Sequence, residues 1–295
     1  MKLYREKVID YGGFSRVYDA RVTSCSGVHH LKLGQSVAVK KCHITKHVRN
    51  ATLQHEACAL LLLKGHISTP AVYAWGRSQY YEYVAMEKLG EDVSSVLKAE
   101  RGLTLRSLVG IICQMLDALG HVHAHGFIHC DIKPQNFLFK GMISGLVGTP
   151  HYASIPVHRH HQPSRRDDME SLAYTIVKLL RGRLPWKETK QKDLLHAKLT
   201  WDGSSICAGY PAVFADFFDY ARQLPFDAEP DYDRWRSSFD ALVGGSDDVF
   251  GRIIGQPVDA VEPRLKDSVE VEAPPSTSDD DELTDSDDGW FPTSS

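Results

Sequence analysis

The chain carries six cysteines, Cys25, Cys42, Cys58, Cys113, Cys130 and Cys207, and no two of them form a Cys-x-x-Cys pair. That scatter excludes a zinc knuckle or a dense disulfide frame, and it fits buried or incidental thiols in a reducing compartment. No uninterrupted apolar run approaches the roughly 18 residues that cross a bilayer, and the opening MKLYREKV lacks the apolar stretch of a secretory signal. The expectation is a cytoplasmic or nuclear protein with no membrane partner. Clusters of Arg and Lys with interleaved aromatics are missing as well, so nucleic acid is not an expected partner. The histidine runs HVHAH (121–125) and HRHH (158–161) lack Cys or carboxylate partners at ligand spacing. They read as a helix end and a surface loop, not as zinc sites.

What is present is enough apolar material for a core: 42% of 295 residues are hydrophobic, with a soft expectation of about two compact units. The net charge of -4 hides an asymmetry. Residues 256–295 hold 12 acidic and 2 basic side chains, which leaves residues 1–255 at about +6. Rich in Asp, Ser, Thr and Pro, the end SDDDELTDSDDGWFPTSS buries too little to fold alone, so residues 256–295 are expected to be a disordered acidic tail. Its plain role is solvation. The sharper alternative is that it folds back on the basic body and competes with an acidic substrate.

Residues 4–22 read as two strands around a glycine turn, and SVAVKKC (36–42) as a third strand with in-and-out alternation. Over 51–65 the periodic Leu53, Ala57, Leu60 and Leu61 predict a helix, with Glu56 inside the apolar stripe. A carboxylate there requires a cation or an open edge. VAMEKLG (84–90) reads as a strand running into a linker. From Ser94 onward the pattern is helical: 107–126 with Gly126 as a stop, 165–182 apolar nearly all round and so expected to be central, then 211–224 and 232–243. The predicted class is α+β, a small strand-rich lobe (about 1–87) followed by a larger helical lobe (about 90–255), with no internal repeat.

The densest chemistry is FIHCDIKPQNFLF (127–139), a polar run pinned between two apolar anchors. Phosphoryl transfer needs an acceptor for a hydroxyl proton, a cation beside the transferring group and an oxygen ligand for magnesium. Asp131, Lys133 and Asn136 supply these in order. The run resembles the catalytic loop of eukaryotic protein kinases, with Cys130 where those enzymes usually have Arg. In VAVKK, Lys40 matches the strand lysine that holds the α and β phosphates, and Glu56 the helix glutamate that pairs with it. GTPHYASI (148–155), SRRDDMESL (164–172), RGRLPW (181–186), GYPAVF (209–214) and PDYDRWR (230–236) narrow the resemblance to the casein kinase 1 family. The likeness runs from about residue 8 to 250.

That resemblance implies a bilobal protein-kinase-like fold, ATP and Mg2+ as cofactors, and serine/threonine side chains of proteins as acceptors, in a monomer. It implies that Ile9, Gly12, Val17, Ala38 and Leu138 line the nucleotide pocket, that Met86 guards it, and that Glu87 and Leu89 offer linker backbone groups. Asp168 is expected to cap the central helix and to bond the catalytic-loop backbone. A basic pocket for an acidic or previously phosphorylated substrate would draw on His151, Arg165, Lys190 and Lys192, with His151 where the family usually has Arg.

The sequence departs from the family in two places. Against the glycine-rich loop only Gly12 is in register, with Asp10 and Ser15 at the outer glycine positions. After Asn136 the chain passes from NFLFK to GMISGLVGTP with no Asp-Phe-Gly segment, so the activation segment is truncated and its metal-holding Asp is absent. The readings are a kinase with impaired transfer, a pseudokinase acting as a non-catalytic binding module, or a chain missing an exon.

Overall fold

The computed structural model describes residues 2–11, 15–24, 31–44, 52–99, 103–138 and 149–243. The chain divides into two units, Met1–Arg264 and Leu265–Ser295, and all described residues lie in the first. The acidic tail, Gly12, Cys25 and residues 139–148 fall outside them.

The N-terminal part is one five-stranded antiparallel sheet: β1 (Lys2–Tyr11), β2 (Ser15–Ser24), β3 (Ser36–His43), β4 (Val72–Arg77) and β5 (Tyr81–Glu87), in the order β1-β2-β3-β5-β4. Helix α1 (Thr52–Leu62) packs on it. Leu53 and Ala57 of α1 meet Ala38, Cys42, Val84 and Met86 of the sheet in one apolar cluster, and Ala20, Val22, Leu31 and Val37 form another. Strand β4 has no clear signal in the sequence, because VYAWGR holds a glycine and its side chains are only half-buried along most of its length.

A short helix α2 (Val93–Ala99) leads into the helical part, built from α3 (Leu105–Ala124), α4 (Ile155–His158), α5 (Arg165–Arg181), α6 (Leu194–Leu199), α7 (Gly203–Ile206), α8 (Ala212–Gln223) and α9 (Tyr232–Asp240). Thr104 caps α3 by accepting from the Ser107 N–H, and Gly126 follows its end at φ +79°, a left-handed conformation that favours glycine. By length and composition α3 could cross a membrane, although Gln114 and Asp117 interrupt its apolar run. Half of that span is buried, with Leu108, Ile112, Met115, Leu116 and Leu119 in the core. Helix α5 is central, as its all-round apolarity predicts, and nearly every residue from Asp167 to Leu180 is buried. Its N-terminus is closed by Asp167, whose Oδ2 accepts from the Ser164 N–H at 2.7 Å, so the capping contact expected of Asp168 falls one residue earlier. Tyr174, Trp186, Phe214, Phe217, Phe218, Trp235 and Phe239 make this core aromatic-rich. The result is a mixed α+β, bilobal architecture.

Candidate active site

On β3, Lys40 sits opposite Val17 of β2 and Val84 of β5. Its Nζ reaches both carboxylate oxygens of Glu56, at 2.8 and 2.7 Å. Glu56 is only 6% exposed, so the carboxylate in the apolar stripe of α1 has the cation it requires. Beside this pair, Ala38 and Met86 are buried register neighbours across β3 and β5. Val17 is half-buried against the same cluster, while Ile9 on β1 is 41% exposed.

Glu87 and Leu89, where β5 passes into the linker, are half-buried. The Glu87 N–H donates to the Ala71 carbonyl at 2.8 Å. Between them Lys88 reaches back to the sheet, its Nζ 2.5 Å from Asp19 Oδ2, and the Ser36 hydroxyl donates to the other Asp19 oxygen at 2.6 Å. These bonds hold the Asp19 carboxyl below the usual range against the opposing pull of its burial. Half-buried Leu138 pairs in an isolated bridge with Asp92, and the Val93 N–H donates to the Phe137 carbonyl, which ties the end of the 127–138 segment to the linker.

Residues 127–138 form the second group. Asp131 is buried, and both of its oxygens are engaged: Oδ1 accepts from the Thr149 hydroxyl at 2.9 Å, while Oδ2 meets Lys133 Nζ at 2.9 Å and Asn136 Nδ2 at 2.9 Å. Lys133 also donates to Thr149 Oγ1 at 2.8 Å. Asn136 spends its amide N–H groups on Asp131, including the Asp131 carbonyl at 2.7 Å, and this orientation leaves its Oδ1 as the atom that could face a cation. Four residues of the right chemistry are thus in mutual contact. Asp131, Lys133 and Asn136 were legible in the sequence, and Thr149 was not singled out.

The backbone that presents Asp131 is held from α5. Asp168, 1% exposed, accepts from the N–H groups of His129 (2.6 Å) and Cys130 (2.8 Å). Those two bonds fix Cys130 at φ +64°, a left-handed conformation that side chains other than glycine rarely adopt. The same carboxylate meets His123 Nε2 at 2.9 Å, and His123 also bonds the Tyr232 hydroxyl. His123, expected to be part of a plain helix end, instead joins α3, α5 and α9. Its signal in the sequence is that it lies four residues after Leu119 and seven after Leu116, on the buried face of α3. Cys130 is exposed at its surface, but partial desolvation, with the nearby Asp168, Asp167 and Asp131, pushes its thiol up to about 11, away from nucleophilic use.

Among the described residues no group of three His, Cys, Asp or Glu could hold a metal ion. No acidic residue stands between Asn136 and Thr149 in the sequence, and residues 139–148 lie outside the described ones. No hydrogen bond or ion pair among the described residues joins His151, Arg165, Lys190 and Lys192. The two recesses that stand out there lie elsewhere. One, of about 710 Å3, lies between α3 and α9 beside Asp117, His121 and Tyr232, and the other is a smaller one near Ser164. Neither includes Lys40 or Asp131. The chemistry of the contacts, not the volume of a recess, marks the site.

The protein kinase domain family matches residues 5–207. The chain is also 30% identical over 278 residues to casein kinase 1-like protein HD16 of Oryza sativa subsp. japonica, an alignment covering 81% of this chain and 39% of that protein. Both groups of site residues fall within the matched span. With the Lys40–Glu56 pair on the sheet and the Asp131, Lys133 and Asn136 network in the 127–138 segment, the chain belongs to the eukaryotic protein kinase family and is of the casein kinase 1-like kind.

Proposed function

We propose that this chain is a serine/threonine protein kinase that moves the ATP γ-phosphate to hydroxyls of protein substrates, with transfer impaired by the short stretch after Asn136. The observation that carries the reading is the contact set around Asp131. Asp131 accepts the hydroxyl proton, Lys133 and Thr149 keep its carboxylate oriented, and Lys133 faces the transferring group. Lys40, held by Glu56, takes the α and β phosphates, and Ile9, Val17, Ala38, Met86, Glu87, Leu89 and Leu138 enclose the adenine ring, Gly12 being assigned to the pocket by sequence alone. Asn136 Oδ1 fits one ligand position of a magnesium ion, and bound magnesium offsets the charge on the phosphates. The body, residues 1–255, is the catalytic unit, and 256–295 is a separate tail. Substrates are acidic or previously phosphorylated segments read by the basic side chains around His151. The protein works as a monomer in the cytoplasm or nucleus.

A second reading is a non-catalytic binding module on the same scaffold. It is favoured by one feature: no carboxylate stands between Asn136 and Thr149 to hold the second side of the metal. The two readings part in one assay. The purified chain with labelled ATP, Mg2+ and casein should transfer phosphate, and Asp131→Asn should lower the rate by roughly 10²- to 10⁴-fold, the usual contribution of a general base. Nucleotide binding without transfer establishes the module instead. Transfer that survives Asp131→Asn removes Asp131 as the base and the kinase mechanism with it.

A further inference from the structure

Residues 149–155 are fixed from several directions. Thr149 is bonded to Asp131 and Lys133, the His151 carbonyl accepts from Trp186 Nε1 at 2.9 Å, the Ser154 hydroxyl donates to Asp167 at 2.5 Å, and the Ile155 N–H donates to Glu170 at 2.9 Å. One further tie comes from outside these elements. Lys198, on α6, donates through Nζ to the Pro150 carbonyl at 3.0 Å and the Ala153 carbonyl at 2.5 Å, and it lies 3.1 Å from His158 Nε2. The same amine stands 4.8 Å from the ring centroid of Tyr174 and 5.6 Å from that of Trp186.

Lys198 has 0% exposure, and no carboxylate among the described residues lies within ion-pair distance of it. An ammonium is costly to bury without a paired carboxylate, and here two backbone carbonyls, one imidazole and two ring faces stand in for one. Two of its three hydrogens meet the carbonyls, and His158 Nε2 takes the third in the Nδ1–H tautomer, whereas in the Nε2–H tautomer it donates to the Pro150 carbonyl 3.1 Å away instead. The partners lie 40 to 48 positions away in sequence, so the bonds fix one segment against another instead of stabilising a local turn.

We propose that Lys198 is a positioning residue: it holds the backbone of residues 150–153, and through Thr149 it sets Asp131 and Lys133 against the ledge on which the acceptor segment of a protein substrate lies. The purpose of this device rests on the kinase reading, whereas its geometry does not. The device is also proton-responsive. Burial lowers the Lys198 amine to about 7, with Glu170 on α5 raising it and Arg222 on α8 lowering it further. His158 on α4 is likewise held low by burial, Lys198, His151 and His160, while its bond to Pro150 acts the other way. If segment 149–158 swings out, Lys198 regains the ordinary amine pKa of about 10.4. Opening then takes up a proton at neutral pH, so the closed arrangement gains as pH rises through about 7 and loses as pH falls.

Hydrogen exchange of the full chain, read by mass spectrometry at pH 6 to 8.5 and corrected for intrinsic exchange chemistry, tests this. In the wild type, protection of residues 149–158 should rise with pH, by up to about tenfold per unit for one proton. Lys198→Met should speed exchange there at least about tenfold with α3 and α5 unchanged. Lys198→Arg, which keeps the donors and a permanent charge, should restore protection but not its pH dependence. Should Lys198→Met fail to fold, the wild-type profile and the arginine variant still decide. Unchanged exchange in Lys198→Met, or pH dependence above pH 7, beyond the range of His158, that persists in Lys198→Arg, overturns the proposal. In an active chain the methionine variant should raise the KM for peptide more than that for ATP. An inactive chain showing the exchange pattern sinks the kinase reading and leaves the Lys198 assignment, and an active chain without it does the reverse.

Discussion

In the sheet of β1 to β5 and the helix α1 packed on it, most buried apolar residues fall into two small clusters, and several of the other buried groups are charged: Asp19, Glu56 and Glu82. The helices α3, α5, α8 and α9 instead share one continuous core with a belt of aromatic rings, Phe217 touching Tyr220, Trp235 and Phe239. Both regions bury carboxylates, but for different ends. In the N-terminal part, Glu56 of α1 and Asp19 of β2 are answered by the long, flexible side chains of Lys40 and Lys88. In the helical part, Asp168 and Glu170 are answered mostly by backbone N–H groups and by rings on fixed helices. A region with few apolar contacts opens at lower free energy than one with many. The sheet is therefore the part suited to adjust around a ligand, and the helical part is the platform that holds Asp131 still.

The comparison breaks hardest at Phe217→Ala, which should cost about 3–5 kcal/mol and lower the thermal midpoint by roughly 10 °C, since the ring leaves a cavity among rings that cannot collapse. Calorimetry showing a loss under about 1 kcal/mol would mean that the aromatic core is not the platform. Glu56→Leu comes next. It strands Lys40, whose side chain keeps only 12% exposure, and should cost on the order of 2 kcal/mol, less than the roughly 3–5 of a fully buried pair. Adding Lys40→Met should recover most of that loss in a urea titration while nucleotide binding stays absent. Recovery of binding in the double variant would refute the role assigned to Lys40.

The smallest effect sharpens the comparison at the catalytic loop. His129 Nδ1 accepts from the Asp131 N–H at 3.2 Å, and burial holds the imidazole below its ordinary pKa despite the pull of Asp168 and Asp131. The unfolded chain takes the proton at about 6.5 and the folded one only lower, so stability is whole above that pH. It should fall as pH drops below it, by at most about 1.4 kcal/mol per unit for this one proton. Denaturant midpoints from pH 7 to 5 should follow that slope, and His129→Gln should reduce it, leaving the share that comes from His158, whose imidazole is also held low.

Several parts of this arrangement could be read from residue order alone. The helix over 107–126 and the buried helix over 165–182 follow from the spacing of apolar residues; a carboxylate inside an apolar stripe called for a cation or an open edge, and the resemblance to protein kinases named Lys40 as that cation. Asp131, Lys133 and Asn136 lie within six residues, close enough for chain geometry to force them together. Strand β4 was not legible, since Val72–Arg77 owes its conformation to pairing with β5 and not to its own alternation. Thr149, His123 and Lys198 were not legible either. Their partners are 18, 45 and 48 residues away, and nothing local in HAKLT distinguishes a buried lysine from a solvated one.

Pattern and short-range chemistry by themselves determined the α+β class, the order of the two lobes, the family and the residues of the polar loop, because periodicity and motif spacing are properties of neighbours along the chain. Tertiary structure alone decided which long-range groups lock that loop in place. A hydroxyl from residue 149, a carboxylate from 168 and an amine from 198 acquire their roles only once packing has removed water around them and set their distances, and no linear spacing encodes either condition.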